Sequence, residues 1–204
     1  MAALLSYALT SVSDVKESLG IASSDTSKDN LIIRKINQAT RAIEAYCGRR
    51  FLQTTYTQEI YNGTNIDQII LKQRPVSAVT LQARDTTLND NDFETIESTL
   101  YFVESEAGIL DLVFGAVGRW GAYAVTYTAG YATIPEDLAE ACASLACFYV
   151  NNADGSDIGV SRKQEGSRSI QYANSDQSFK SIADQLGINE IIDSYANMPV
   201  QTDR

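Results

Sequence analysis

From Ile134 to Val150 the chain reads IPEDLAEACASLACFYV, and after Glu140 no charged residue appears until Asp154. Pro135 suits a first helical turn, where its missing N–H costs nothing, and Glu136, Asp137 and Glu140 favour the positive end of a helix dipole. On such a helix Leu138, Cys142, Leu145 and Tyr149 form one stripe, while Ala139, Ala143, Ala146 and Val150 form a second, of small residues. A helix that is apolar all round has to be buried all round. Whatever else the chain does, it must build a cover for this segment.

The main partner for that cover lies upstream. From Ser27 to Cys47 the apolar residues Ile32, Ile36, Ala39, Ile43 and Tyr46 follow a spacing of four and three, which predicts one helical stripe. Arg34, Lys35, Asn37, Gln38, Arg41 and Glu44 fall on the other side, toward water or a partner. Gly48 is the expected stop, with Arg49 and Arg50 near the negative end of the dipole. A shorter helix, SDVKESLGI, precedes it, capped by Ser11 or Ser13, with Val15 and Leu19 on one face and Gly20 at its end.

Between these helices the period changes to two. TTYTQEIYNG, DQIILKQ, PVSAVTLQAR, LYFVES, GILDLVFG and YAVTYTAG are short, rich in Thr, Tyr, Val and Ile, and separated by turn signals such as Asn62-Gly63, Gly108 and Gly115. They predict about six strands in succession, antiparallel, inserted between helices. The fold class is therefore α+β: a helical body carrying an inserted antiparallel β lobe. Residues 1–50 and 132–152 give the body, 51–131 the lobe, and 153–204 a loop, a strand in GSRSIQY and two short helices, SFKSIADQLG and NEIIDSYANMPV.

Charge and composition exclude several functions. Sixteen Lys and Arg against 26 Asp and Glu leave a formal charge of -10, which argues against holding nucleic acid by phosphate neutralisation. From Asp85 to Asp111 there are eight acidic residues and no basic one; such a run reads as a solvated face or as a wall repelling an anion. The chain has no histidine, which removes Ser-His-Asp and Cys-His catalysis and the usual zinc sites. Cys47, Cys142 and Cys147 form no C-x-x-C and read as buried reduced thiols. No run is apolar enough to span a membrane, and MAALLSYALTSVSD lacks the pattern of a signal peptide, so a soluble cytoplasmic product is expected.

The remaining candidates for chemistry are weak. GAVGRWG, residues 115–121, lacks the Gly-Lys-Ser/Thr ending of a phosphate loop and precedes a strand, so it reads as a hairpin turn. Its Trp120 suits either an interface anchor or a cap on the lobe's own core. Asp90, Asp92, Glu94 and Glu97 lack the spacing of a cation loop and read as a solvated loop. Tyr123, Tyr127 and Tyr131 alternate as a β face does, for packing or for an interface.

Taken together, SVSDVKESLGI, the helix end IEAYCGRRF, the strand after proline in LKQRPVSAVTLQ, and AVTYTAGYATIPEDLAEACASLACFYV resemble the head-tail connector family of tailed phages, also called head-completion or adaptor proteins. The resemblance spans residues 10 to 152, with an echo in GSRSIQY and DSYANMPV. It implies a non-enzymatic protein of the virion neck without cofactor or metal. Such a protein forms a ring under the portal, a dodecamer if it matches the portal, and extends the DNA channel without sequence-specific binding. It docks the tail or a stopper or tail-completion protein, and has no membrane partner. On this reading Ala139, Ala143 and Ala146, with Arg34 and Arg41, are expected at the subunit interface, because small residues let a neighbouring helix approach closely. Ile191, Ile192, Tyr195 and Met198 are expected to contact the portal as a docking arm whose removal (residues 188–204) leaves the fold intact. Asp90, Asp92, Glu94 and Glu97 are expected on a lumenal or outer acidic face. Another neck or tail-completion ring protein is the alternative, and a metal-dependent hydrolase using only carboxylates is a more distant one.

Overall fold

A computed structural model describes residues 2–62, 67–84, 93–113, 122–153, 163–165, 168–170 and 179–196. The chain divides into two compact units, one made of Met1–Gly48 with Ile134–Arg204 and the other of Arg49–Thr133.

The first unit is helical. Helix α1 (Val12–Ser18) starts at Ser11, whose hydroxyl accepts the Asp14 N–H while the Asp14 carboxylate accepts the Ser11 N–H. This reciprocal pair satisfies two backbone donors that a helix start leaves open. Helix α2 (Asp29–Cys47) ends at Gly48, whose φ of 66° is a left-handed conformation that costs glycine little. Helix α3 (Glu136–Asn151) follows Pro135, and two short helices, α4 (Phe179–Leu186) and α5 (Asn189–Tyr195), come last. A two-stranded antiparallel hairpin pairs β8 (Lys163–Glu165) with β9 (Arg168–Ile170), where the sequence pattern had suggested a single strand.

Helix α3 packs against α1, α2, α4 and α5. Val15, Ile32, Ile36, Ile43, Leu138, Cys142, Leu145 and Ile192 are all fully buried in this unit. The expected stripe of α2 is present with one change: it ends on Cys47, which is 1 % exposed, and Tyr46 lies at its edge. Thr40, 0 % exposed, sits on the same stripe because its hydroxyl is used: it accepts the Leu9 N–H and lies 3.7 Å from the Cys142 Sγ. Asn37, one turn away, exchanges hydrogen bonds with the backbone of Leu5 and Ala3, so α2 holds the N-terminal segment along its length. Lys16 is buried and paired with Asp29 at 2.6 Å, joining the start of α2 to α1.

The second unit is all β. Strands β1 (Thr54–Tyr61), β7 (Tyr123–Ala129), β3 (Val76–Arg84) and β4 (Phe93–Thr95) form one antiparallel sheet in that order. A second antiparallel sheet has the order β2 (Gln68–Ile70), β6 (Ile109–Leu112), β5 (Tyr101–Glu104). A 3-10 turn, Ser98–Leu100, leads into β5. Ile69, Leu81, Leu110, Leu112, Tyr123, Val125 and Tyr127 share one core. The six predicted strands are all found. A seventh, β4, lies inside the acidic stretch, where Glu94 pairs with Ala83. Glu94 therefore stands on a strand and not in a loop.

Two local features shape this unit. A bulge between Tyr56 and Glu59, with Gln58 at φ 49°, interrupts the period of two in β1 and brings Tyr56, Glu59 and Tyr61 to its less exposed side. The Glu59 carboxylate then accepts the hydroxyls of Tyr61 and Tyr127, both at 2.8 Å. Elsewhere Gly130, at φ 104°, runs so close to the Phe51–Leu52 backbone that a Cβ there would lie 2.7 Å from the Phe51 oxygen. Next to it the Tyr131 N–H donates to that same oxygen. The Arg49 guanidinium covers the rings of Phe51 and Tyr131 and donates to the Arg74 carbonyl at 3.2 Å. So the Arg49 guanidinium, next in the chain to the Gly48 cap of α2, packs within the β unit, and GRRF and TAGY, far apart in sequence, meet where the chain enters and leaves this unit.

Candidate assembly surfaces

The small-residue stripe of α3 is not available to a partner. Ala143 is 1 % exposed and Ala146 0 %, while Ala139 is partly covered. The physical reason is the set of helices around α3: the chain's own helices occupy the close approach that alanine permits. The expected subunit contact through Ala143 and Ala146 is therefore corrected.

Of the expected portal-contact residues, Ile192 is corrected in the same way. Ile192 is 0 % exposed and Ile188 is 5 % exposed, so α5 belongs to the helical core and is not a loose arm. Its polar side is tied down too. The Tyr195 hydroxyl donates to the two Asp137 carboxylate oxygens at 2.8 and 3.0 Å, and the Tyr46 hydroxyl donates to Asp193 at 2.5 Å. That bond to Asp193 raises the Tyr46 pKa above the ordinary tyrosine value. Ile191 is partly exposed, and Met198 lies outside the described residues. Removing residues 188–204 would take Ile188 and Ile192 from the core, so truncation would not leave the fold intact.

Helix α2 does present a free face. Its exposed positions are Asn30, Arg34, Gln38, Arg41 and Ala45, spaced as one stripe that carries two arginines and no carboxylate. Arg34 and Arg41 are thus open to solvent, with the Arg34 Nε donating to the Asn30 carbonyl.

A second open face lies in the β unit and was missed in the sequence. In the β2-β6-β5 sheet, Tyr101 pairs with Leu112 and Ile69 with Leu110, and these point into the core. Alternation sends the other set outward: Phe102, Asp111 and Gln68, then Glu104, Ile109 and Ile70, while Leu100 in the 3-10 turn and Val113 just past β6 are joined by a backbone hydrogen bond. Phe102 is 67 % exposed, Val113 58 %, Ile70 41 % and Leu100 38 %. An outward apolar group of this kind marks interaction surfaces more often than it occurs idly. The signal available in the sequence was the unbroken run Leu100-Tyr101-Phe102-Val103: four apolar residues on a strand cannot all face one core.

Of the acidic candidates, Glu94 and Glu97 are exposed, and Asp90 and Asp92 lie outside the described residues, as does Trp120. Among the described residues no group of three or more His, Cys, Asp or Glu is placed to hold a metal ion. Cys47 and Cys142 are buried and form no disulfide; burial pushes the Cys142 thiol up to about 12, which keeps it protonated and unreactive. Tyr123 and Tyr127 are each 1 % exposed, which gives them to packing.

A scan of family models matches residues 8–198 to the head completion protein family. No curated protein matches the chain. Among solved structures, the fold resembles a chain from the neck of an empty gene transfer agent particle computed with C6 symmetry, with a TM-score of 0.58 and 15% identity, covering 100% of this chain and 97% of that one. A chain from the neck of the native particle computed with C12 symmetry gives a TM-score of 0.54 at 16% identity, covering 100% and 97%. A chain from the virion of the native particle gives 0.53 at 15% identity, covering 98% and 95%. At these identities the likeness speaks for the fold, and the family match runs along nearly the whole sequence: the chain belongs to the head completion protein family.

Proposed function

We propose that this protein is a structural component of the neck of a tailed phage or phage-like particle, where copies of it form a ring between the portal and the tail side. The observation that carries this reading is the family match over residues 8–198, joined to a fold shared along the whole chain with neck proteins of particles computed with C6 and C12 symmetry. A ring of identical subunits uses heterologous, head-to-tail contacts that close by rotation.

In this reading the ring continues the DNA channel. The formal charge of -10 suits a passage that lets phosphates by without gripping them, and carboxylates repel phosphate within about 8 to 10 Å at physiological salt. Glu94 and Glu97, both exposed, are our candidates for that wall. Contact with the portal falls to Ile191 and the residues that follow α5, Met198 among them, and the far side of the ring docks a stopper or tail-completion protein.

The test is native mass spectrometry and electron microscopy of the full chain with and without its portal. A stoichiometric ring seated on the portal is expected. A chain that stays monomeric and unbound in the presence of portal would overturn the reading.

A further inference from the structure

We infer that the outer face of the β2-β6-β5 sheet of one subunit docks on the α2 face of a second copy of this chain, which makes these two surfaces the two sides of the head-to-tail contact. The inference rests on the ring reading above and supplies the surfaces that reading lacks.

Exposure comes first. Phe102 at 67 % and Val113 at 58 % are the most exposed large apolar side chains among the described residues; Phe102 lies on this outer face and Val113 directly follows the end of β6. Leaving them in water forgoes burial worth about 25 cal/mol per Å² of apolar area, which an interface would recover.

Charge then selects the occupant. Glu104 and Asp111 share the face with Phe102, and no basic residue occurs anywhere from Asp85 to Asp111. The exposed stripe of α2 has the opposite character, Arg34 and Arg41 with no carboxylate. One sequence thus carries a surface and its electrostatic complement, and two unlike patches on one chain are what a heterologous contact requires. Arginine fits such a seam well, because its guanidinium both pairs with carboxylates and stacks on an aromatic ring such as that of Phe102.

Charge exchange in the full-length chain tests this, with assembly read by native mass spectrometry and sedimentation, with portal present if rings form only on it. One variant carries Glu104→Lys with Asp111→Lys, and the other Arg34→Glu with Arg41→Glu. Circular dichroism checks that each is folded. Each variant alone is expected to lose assembly at least tenfold, because like charges now face each other. Mixing the two is expected to restore rings in which they alternate, since each changed face then meets an opposite charge. Phe102→Ser, at a position too exposed to hold the fold, should weaken assembly without altering the monomer. If the wild-type chain assembles and both charge variants assemble equally well, or if mixing rescues nothing, the docking is overturned while the ring reading stands. If the wild-type chain never assembles with or without portal, the ring reading falls and the docking falls with it.

Discussion

The two units treat their apolar residues in opposite ways. In the helical unit, α3 is sheathed by four helices of its own chain, and Leu4 is the sole exposed large apolar side chain among the unit's described residues. In the β unit, Ile60, Ile70, Leu100, Phe102, Val103 and Val113 all remain exposed. The more apolar segment thus has most of its apolar side chains covered by its own chain, and the less apolar unit carries the open apolar surface. Hydrophobicity of a segment reports how many neighbours it needs; the fold decides whether those neighbours come from the same chain.

Paired truncations draw the largest contrast. Ile192→Ala, in the helical core, is expected to destabilise the chain by about 2–5 kcal/mol through lost burial and a residual cavity. Phe102→Ser, although it removes a larger side chain, is expected to stay within about 0.5 kcal/mol because that ring is already in water. Chemical denaturation of the isolated chain measures both, and equal losses would erase the distinction between the units.

A smaller effect probes the sheath itself. Ala146→Phe should cost about 1–3 kcal/mol by overpacking α3 against its neighbours. The loss should appear as a lowered unfolding midpoint of the monomer. An unchanged midpoint combined with failed ring formation would return the alanine stripe to the subunit interface.

The finest effect belongs to the β unit. Burial pushes the Tyr61 hydroxyl up to about 12 and raises Tyr127 as well, from an ordinary value of 10.0. A folded pKa above the unfolded one gives stability that is complete below about pH 10 and is lost as pH rises toward 12. Denaturation midpoints should therefore fall from about pH 10 upward on account of this pair, on top of the loss that the buried Cys142 thiol begins above its ordinary value of 9.0, and Tyr61→Phe combined with Tyr127→Phe should make the fall above pH 10 shallower. A fall of the same size in the double variant would assign it to other groups.

The sequence revealed some of this more readily than the rest, for physical reasons. The α2 stripe from Ile32 to Ile43 is periodic and local, so it was readable, and so was the change to period two after Leu52. That α3 needs a cover was also readable, but not the identity of that cover, nor that Ser144, Cys147, Phe148 and Tyr149 stay only partly covered. Part of that cover is Ile182 and Ile192, from short helices whose contacts with α3 are remote in sequence. The resemblance assigns the last of them, within residues 188–204, to a docking arm. The bulge at Gln58 leaves no mark, because its left-handed φ of 49° is taken up by a glutamine and not by the glycine that would have signalled it, and β4 is three residues within a run of acids. The outward face of β5 was hidden by its own composition: with apolar residues on both sides of the strand, alternation shows two faces without saying which is inside.

The most direct measurement is a structure of the assembled ring by electron microscopy, read at two places. Phe102 and Val113 should be buried against the next subunit, with Glu104 and Asp111 facing Arg34 and Arg41 of the neighbouring copy, while α3 keeps only the partners it has in the single chain. A ring in which Phe102 still faces solvent and a neighbouring subunit packs against the alanine side of α3 would contradict the account.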